Sequence, residues 1–122
     1  MGKTKGEKSE EPPSKKEIKV IGVSEPVRIE NKIFIARIDT GAGKSSICTT
    51  LLKKLNKYEN RGKIGIRSAH GRSIRKRIKL EIILAGKKVS AHFTIADRQH
   101  MQHDVLIGRN ILKKGFTIDP TK

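Results

Sequence analysis

The chain has 122 residues and a formal net charge of +16, with 34% hydrophobic and 3% aromatic residues. No apolar run approaches the roughly 18 residues of a membrane-spanning helix, and one cysteine cannot form a disulfide within the chain. This length excludes two lobes with separate cores, so we expect a single small domain with no membrane contact. Because the start lacks the apolar core of a signal peptide, we expect a cytoplasmic protein.

Residues 1–16 differ in composition from the rest of the chain. Lys, Glu, Ser and Pro dominate there, and too few apolar side chains are present to offset the entropy of ordering them. We therefore predict a disordered tail over 1–16 and one folded domain over 17–122.

Short apolar and β-branched runs, separated by turn residues, predict a mainly all-β domain. The predicted strands are 18–23, 27–29, 33–38, 63–67, 74–84, 89–95, 105–107 and 116–118, with turns at 30–32 and 85–87. Positions 74, 78, 80 and 82 are apolar and alternate with charged residues, which is typical of a strand with one solvated face. Two short helices are predicted, over 49–55 and 109–113. The pattern favours a closed or sandwiched antiparallel sheet.

Two segments of the chain carry its chemistry. Residues 38–42, Ile-Asp-Thr-Gly-Ala, place Asp39 in a tight turn after an apolar strand, and Gly41 allows close approach of a substrate backbone. Residues 105–110, Val-Leu-Ile-Gly-Arg-Asn, lead into the second predicted helix. Aspartyl hydrolysis requires two carboxylates that share one proton and activate a water. Since the chain has one such turn, we predict a homodimer with the two Asp39 side chains facing each other across a two-fold axis.

In this order, the two segments resemble the retropepsin-like aspartic proteases. Further runs, at 45–47, 68–71 and 96–101, are similar to the bacterial and archaeal retropepsin-like family labelled "ATP-dependent zinc protease". The resemblance implies a closed retropepsin-like β-barrel and a homodimeric peptidase that acts on a peptide or protein. Members of that family are associated with ligases that add glutamate tails, which implies acidic substrates. Where the family commonly has a His after the serine pair, this chain has Cys48.

The resemblance also implies roles for individual residues. The expected catalytic turn is Asp39, Thr40 and Gly41, and the 68–71 turn is expected at the tip of a flap over the substrate. The expected substrate-binding residues are Ala42, His70, Gly71, Arg72, Ile107 and Gly108. Arg109 and Asn110 are expected to support the helix and the dimer. From the residues alone, Asp39 could simply cap its own turn, and Arg109 and Asn110 could simply cap the helix.

No cofactor and no metal site are expected. Gly43-Lys44-Ser45 resembles the end of a phosphate-binding loop, but the first glycine of that motif is replaced by Ile38. The candidate zinc ligands, which include no His-Glu-x-x-His spacing, are Cys48, His70, His92, His100 and His103.

Most of the positive charge belongs to the domain rather than to the tail. Residues 61–88 hold ten Lys or Arg and one acidic residue, Glu81. A basic flap and cleft attract anionic chains, which fits an acidic peptide and equally a nucleic acid. The rival interpretation is therefore a catalytically inactive retropepsin-like module that binds nucleic acid through its basic surface, although no interleaved aromatic residues support it. A thermophilic source would explain the charge without any ligand.

Overall fold

A computed structural model describes residues 17–69, 71–97 and 101–122. The predicted disordered tail over 1–16, the placement of His70 at the flap and the candidate zinc ligand His100 lie outside these residues. Within them the chain forms two short helices, α1 (Thr49–Leu52) and α2 (Arg109–Leu112). The strands are β1 (Lys19–Ile21), β2 (Ser24–Ile29), β3 (Lys32–Ile38), β4 (Ser45–Cys48), β5 (Glu59–Ser68), β6 (Gly71–Leu84), β7 (Lys87–Ala96), β8 (Val105–Ile107) and β9 (Phe116–Ile118).

Six strands close into a barrel in the order β2-β3-β8-β4-β7-β6, and β6 pairs back onto β2. This confirms the predicted closed barrel with two short helices. The sequence pattern favoured an antiparallel sheet, and the observed pairing is mixed: β3 with β8, β4 with β7, and β1 with β9 pair in parallel, and the other pairs are antiparallel. Parallel partners are joined by long crossovers, so no local turn signal announces them.

The core of the barrel follows the alternation of β6. Ile78, Leu80 and Ile82 are each at most 2% exposed and pack against the inward side chains of the other strands. Ile74 shares their parity, but it is 76% exposed. The reason is that residues 71–76 of β6 pair only with β5, whereas β6 pairs with β7 from Arg77 onward. The predicted alternation therefore holds for Ile78, Leu80 and Ile82, and Ile74 is exposed because it lies beyond the end of the barrel wall.

The paired segments 63–68 and 71–76 form a two-stranded ribbon that extends beyond the barrel, which we call the hairpin arm. A bulge between Asn60 and Lys63 begins it, with Gly62 at φ +76°. The side chain of Asn60 accepts a hydrogen bond from the Gly62 N–H at 3.0 Å. Because a bulge bends its strand and increases the local twist, the arm runs in a different direction from the barrel wall.

Both predicted hairpin turns are present, each with two central residues of positive φ, as in type I′ turns. These are Glu30 and Asn31 at 53° and 71°, and Ala85 and Gly86 at 52° and 78°. Positive φ is unusual for Glu, and its carboxylate makes long-range contacts here, accepting the N–H groups of Asn56 (2.8 Å) and Lys57 (2.6 Å). Burial of Glu30 acts to raise its pKa, but these two hydrogen bonds and nearby lysines lower it overall.

The prediction missed β4 and overextended both helices. Three of the four residues of β4 are Ser or Cys, so it lacks an apolar strand pattern, yet it lies between β7 and β8 in the barrel. The helices end at Leu52 and Leu112, earlier than predicted. No helix within the described ranges is both long and apolar enough to cross a membrane.

Candidate active site

The turn after β3 holds Asp39 in one orientation. The Asp39 N–H donates to the carbonyl of Ile107 on β8 at 2.9 Å, which fixes the backbone at the start of the turn. One carboxylate oxygen accepts the N–H of Gly41 at 2.9 Å, and the carbonyl of Asp39 accepts the N–H of Ala42 at 3.2 Å. The side chain is half-buried, so the carboxylate is both oriented and accessible.

Residues at the start of α2 hold this turn in place through hydrogen bonds to its carbonyl groups. The guanidinium of Arg109 donates to the carbonyl of Thr40 at 2.9 Å, and the backbone N–H of Arg109 donates to the carbonyl of Ala42 at 2.8 Å. A Cβ added to Gly108 would lie 2.8 Å from the Ala42 carbonyl and closer still to that of Lys44. Gly108 therefore permits the close approach of α2 and the turn that these hydrogen bonds require.

A chain of hydrogen bonds that begins at a buried serine connects α2 to β4 and β7. Ser45 is fully buried; its hydroxyl accepts the Gly108 N–H at 2.9 Å and donates to the side-chain carbonyl of Asn110 at 2.7 Å. The amide of Asn110 in turn donates to the carbonyl of His92 at 3.0 Å. This role of Ser45 was not predicted from the motifs at 43–45 and 45–47, because the partners of a small polar residue become visible only in the fold.

A cleft of about 670 Å³ opens above Asp39, between the turn and the hairpin arm. Its lining includes one acidic residue and three cations, Lys44, Arg67 and Arg75. The other lining residues are Gly41, Ala42, Gly43, Ser46, Gly65, Ile66, Thr94 and Leu106. Asp39 also borders a smaller cavity of about 210 Å³, lined by Arg37, Met101, Gln102, His103 and Leu106. Asp39 thus lies at the boundary between two depressions of the surface.

The structure separates the residues that were expected to bind substrate. Ala42 lines the cleft beside Asp39, as the turn requires. Ile107 is fully buried and Gly108 is also buried, so they lie behind the turn, and the neighbouring Leu106 faces the cleft instead. Strand alternation explains this difference, because adjacent residues of β8 point to opposite sides of the barrel wall.

Two further expected substrate-binding residues, Gly71 and Arg72, lie near the end of the hairpin arm. Gly71 begins β6 at φ +107°, where glycine is favoured, and Arg72 lines a separate cavity of about 540 Å³ together with Ile74. His70 is outside the described residues. Residues that the sequence did not identify, Ser46 and Thr94, form part of the cleft wall, with their hydroxyl oxygens 2.7 Å apart.

Positive charge continues from the cleft along the outer face of β6 and β7. His92 lies opposite Lys79 in the pairing of these strands. Partial desolvation lowers the pKa of His92, and the cations Arg77, Arg61, Lys79 and Lys114 lower it further. Within the described residues, no group of three or more His, Cys, Asp or Glu side chains could hold a metal ion.

Comparison with known protein families identifies the relatives of this chain. The family model that matches, over residues 50–122, describes the RimB-like proteins, "Retropepsin-like aspartic endopeptidase RimB". The chain belongs to this family. Membership confirms the retropepsin-like resemblance expected from the sequence. The matched residues begin after Asp39, so the case for Asp39 within this RimB-like chain depends on the turn geometry described above.

Two solved structures share the fold of this RimB-like protein. A Legionella pneumophila protein of unknown function, Lpg0085, has a TM-score of 0.61 and 16% sequence identity, over 84% of this chain and 94% of that one. The foamy viral protease-reverse transcriptase, solved with an RNA/DNA hybrid, has a TM-score of 0.58 and 23% identity over 74% of this chain, and the match spans 11% of the viral chain. At these identities the likeness concerns the fold. None of the curated proteins matched.

Proposed function

We propose that this protein is an aspartic endopeptidase that acts as a homodimer, in which the Asp39 side chains of two subunits activate one water. The observation that carries the proposal is the setting of Asp39. Of the residues that line the larger cleft, it alone bears a carboxylate, and the Gly41 N–H and the Arg109 guanidinium hold its turn in place. Membership of a family described as aspartic endopeptidases supports the same activity.

The second carboxylate of the pair has to come from another subunit. Two carboxylates about 3 Å apart cannot both ionise, so the pair holds one proton between them. Thr40 and Gly41 are exposed on the same turn, so a second copy of the turn has surface available against which it can pack. A two-fold axis at this point completes the acid pair without any further residue.

Peptide hydrolysis then follows from the two protonation states. The ionised Asp39 removes a proton from the bound water, whose oxygen attacks the carbonyl carbon of the scissile bond. The protonated Asp39 of the partner gives its proton to the carbonyl oxygen, forming a tetrahedral diol. When the C–N bond breaks, Asp39 gives the proton it took from water to the leaving nitrogen. As the carbonyl re-forms, a hydroxyl of the diol returns its proton to the partner's Asp39, so the pair again holds one proton.

The charge of the cleft favours an acidic peptide as substrate. Lys44, Arg67 and Arg75 surround the lone carboxylate, so the cleft attracts anionic chains and repels basic ones. The Ser46 and Thr94 hydroxyls offer hydrogen-bonding groups along the wall. Since exposed charges are screened by salt, the preference for acidic substrates should weaken as ionic strength rises.

The test is mass spectrometry of a mixed peptide pool that includes oligo-glutamate, incubated with the wild type, Asp39→Asn and Asp97→Asn from acidic to neutral pH. Asp97→Asn is a matched control, because Asp97 is exposed and does not line the cleft. We expect cleavage by the wild type and by Asp97→Asn, and none by Asp39→Asn. If a verified dimer of the wild type cleaves nothing at any pH, the chain is a binding module that retains the fold without the activity.

A further inference from the structure

The outward face of the hairpin arm has a charge pattern of which the proposed peptidase uses only Arg67. In the register of β5 and β6, Lys63 lies opposite Lys76, and Arg67 lies opposite Arg72. Directly opposed residues share a face, with Cβ atoms about 5 Å apart. Between these two pairs, Ile74 lies opposite Gly65. We call the five side chains of this surface the cation face: Lys63, Arg67, Arg72, Ile74 and Lys76.

No acidic side chain neutralises the cation face within the described part of the chain. The two ion pairs found there are Lys19 with Glu17 and Arg61 with Glu59. All five side chains of the cation face are exposed. Like charges directly opposite each other destabilise a two-stranded ribbon, which is itself only marginally stable. A local arrangement that costs stability is expected where it serves a function.

A peptide in the cleft does not account for this face. The alternate residues of the arm, Ile64, Ile66 and Arg75, are half-buried and belong to its opposite face. Of the four cations on the cation face, only Arg67 also borders the cleft, and Lys63, Arg72 and Lys76 do not. A ligand that neutralised them would therefore lie outside the cleft and carry negative charge over a distance comparable to that between the two cation pairs.

We propose that the cation face binds the phosphate backbones of B-form duplex DNA without sequence preference. The two cation pairs are four residues apart, which is about 13 Å along a strand. The major groove is about 12 Å wide and admits a two-stranded ribbon, so one pair can meet the backbone on each side. Ile74 then faces the groove as an apolar contact. The A-form major groove of RNA is too deep and narrow for the same fit.

The salt dependence of binding measures these contacts. Anisotropy of a labelled 20-base-pair DNA duplex should give a slope of log K against log salt near −3.6, because each phosphate contact contributes about −0.9. Lys63→Gln/Lys76→Gln and Arg67→Gln/Arg72→Gln should each reduce the slope to about −1.8. Ile74→Ser should lower affinity at every salt concentration with an unchanged slope. Circular dichroism checks that each variant is folded.

Matched controls separate the cation face from overall charge. Lys53→Gln/Lys54→Gln removes the same charge from exposed positions on another part of the chain and should leave the slope near its wild-type value. Asp39→Asn should bind DNA as the wild type does, so failure of the peptidase proposal and failure of this one remain distinguishable. If Lys53→Gln/Lys54→Gln reduced the salt slope as much as the cation-face variants do, the inference would be overturned. Tighter binding of duplex RNA, or displacement of the DNA by oligo-glutamate at equal charge concentration, would also overturn it.

Discussion

At the scale of single residues, the position of Asp39 depends on a guanidinium from the far end of the sequence. Arg109 reaches the Thr40 carbonyl from α2, and its backbone N–H holds the carbonyl of Ala42. No local sequence pattern predicts the hydrogen bond from the Arg109 side chain to Thr40, because the two residues are 69 positions apart. In the proposed peptidase, Arg109 would act through its hydrogen bonds to the turn rather than on the scissile bond, which makes it a positioning residue.

Replacing Arg109 with Met should therefore reduce turnover more than stability. The aliphatic stem is retained, but the Thr40 carbonyl loses its donor, and in the proposed peptidase a displacement of the Asp39 turn by about 1 Å can cost on the order of 100-fold in rate. We expect kcat to fall by about that factor with KM little changed, and Arg109→Lys to restore part of the loss because it keeps a cationic donor. Kinetics on one cleaved peptide, with Lys113→Met as the exposed control, would check this; equal kcat values for the wild type and Arg109→Met would contradict it.

At the scale of elements, a buried lysine attaches the two terminal strands to the barrel. Lys87 begins β7 and is 4% exposed. Its ammonium donates to the carbonyl of Glu17 at 3.0 Å, just before β1, and to that of Lys114 at 2.6 Å, just after α2. It also lies 5.2 Å from the ring centroid of Phe116 on β9. One side chain thereby connects β1, α2 and β9 to the barrel.

Lys87→Met should consequently destabilise the fold through these terminal elements. A methionine keeps most of the volume but leaves two carbonyls without this donor, which we expect to cost about 1–3 kcal/mol of unfolding free energy. Lys88→Met is the matched control, since Lys88 is adjacent and exposed, and it should change stability by less than about 0.5 kcal/mol. Urea denaturation of the wild type and the two variants gives the comparison. Equal losses of unfolding free energy in both variants would show that the hydrogen bonds of Lys87 contribute nothing specific.

The predictions from sequence at the element scale were best where local signals were strong. The turns at Glu30 and Ala85 and the strands β8 and β9 lie where predicted, because turn residues and short apolar runs define them locally. Strand β4 was missed because Ser45, Ser46 and Cys48 gain their strand conformation from pairing with β7 and β8. Its place in the barrel is set by long-range hydrogen bonds, which a single sequence does not reveal.

At the scale of the whole molecule, the proposed activity needs two copies of the chain. One chain contributes one carboxylate to the cleft, and neither the Gly41 N–H nor the Arg109 guanidinium can replace a second acid. The acid pair would therefore be a property of the dimer rather than of the barrel. Activity should then depend on protein concentration, because the dimer is populated by mass action.

Mixing wild type with Asp39→Asn should reveal this dependence directly. A mixed dimer has one carboxylate and one amide, so it should be inactive even though one subunit is wild type. With a threefold excess of Asp39→Asn and free subunit exchange, activity per wild-type subunit should fall to about a quarter. Asp97→Asn in the same excess should cause no such fall, and sedimentation would verify that dimers form. Undiminished activity in the first mixture would mean that each chain works alone.

The sequence by itself determined the chemistry that is local to a few consecutive residues. Asp39 in its turn, the hairpin turns, the alternation of Ile78, Leu80 and Ile82, and the excess of cations over 61–88 all follow from neighbouring residues and their intrinsic geometry. The tertiary structure decided everything that depends on which distant residues meet. It buried Ile107 and turned Leu106 toward the cleft, joined Ser45 to Asn110, and placed Ile74 beyond the barrel wall. The physical reason is that strand pairing and close packing act between residues far apart in the chain, where local preferences carry no information about the partner.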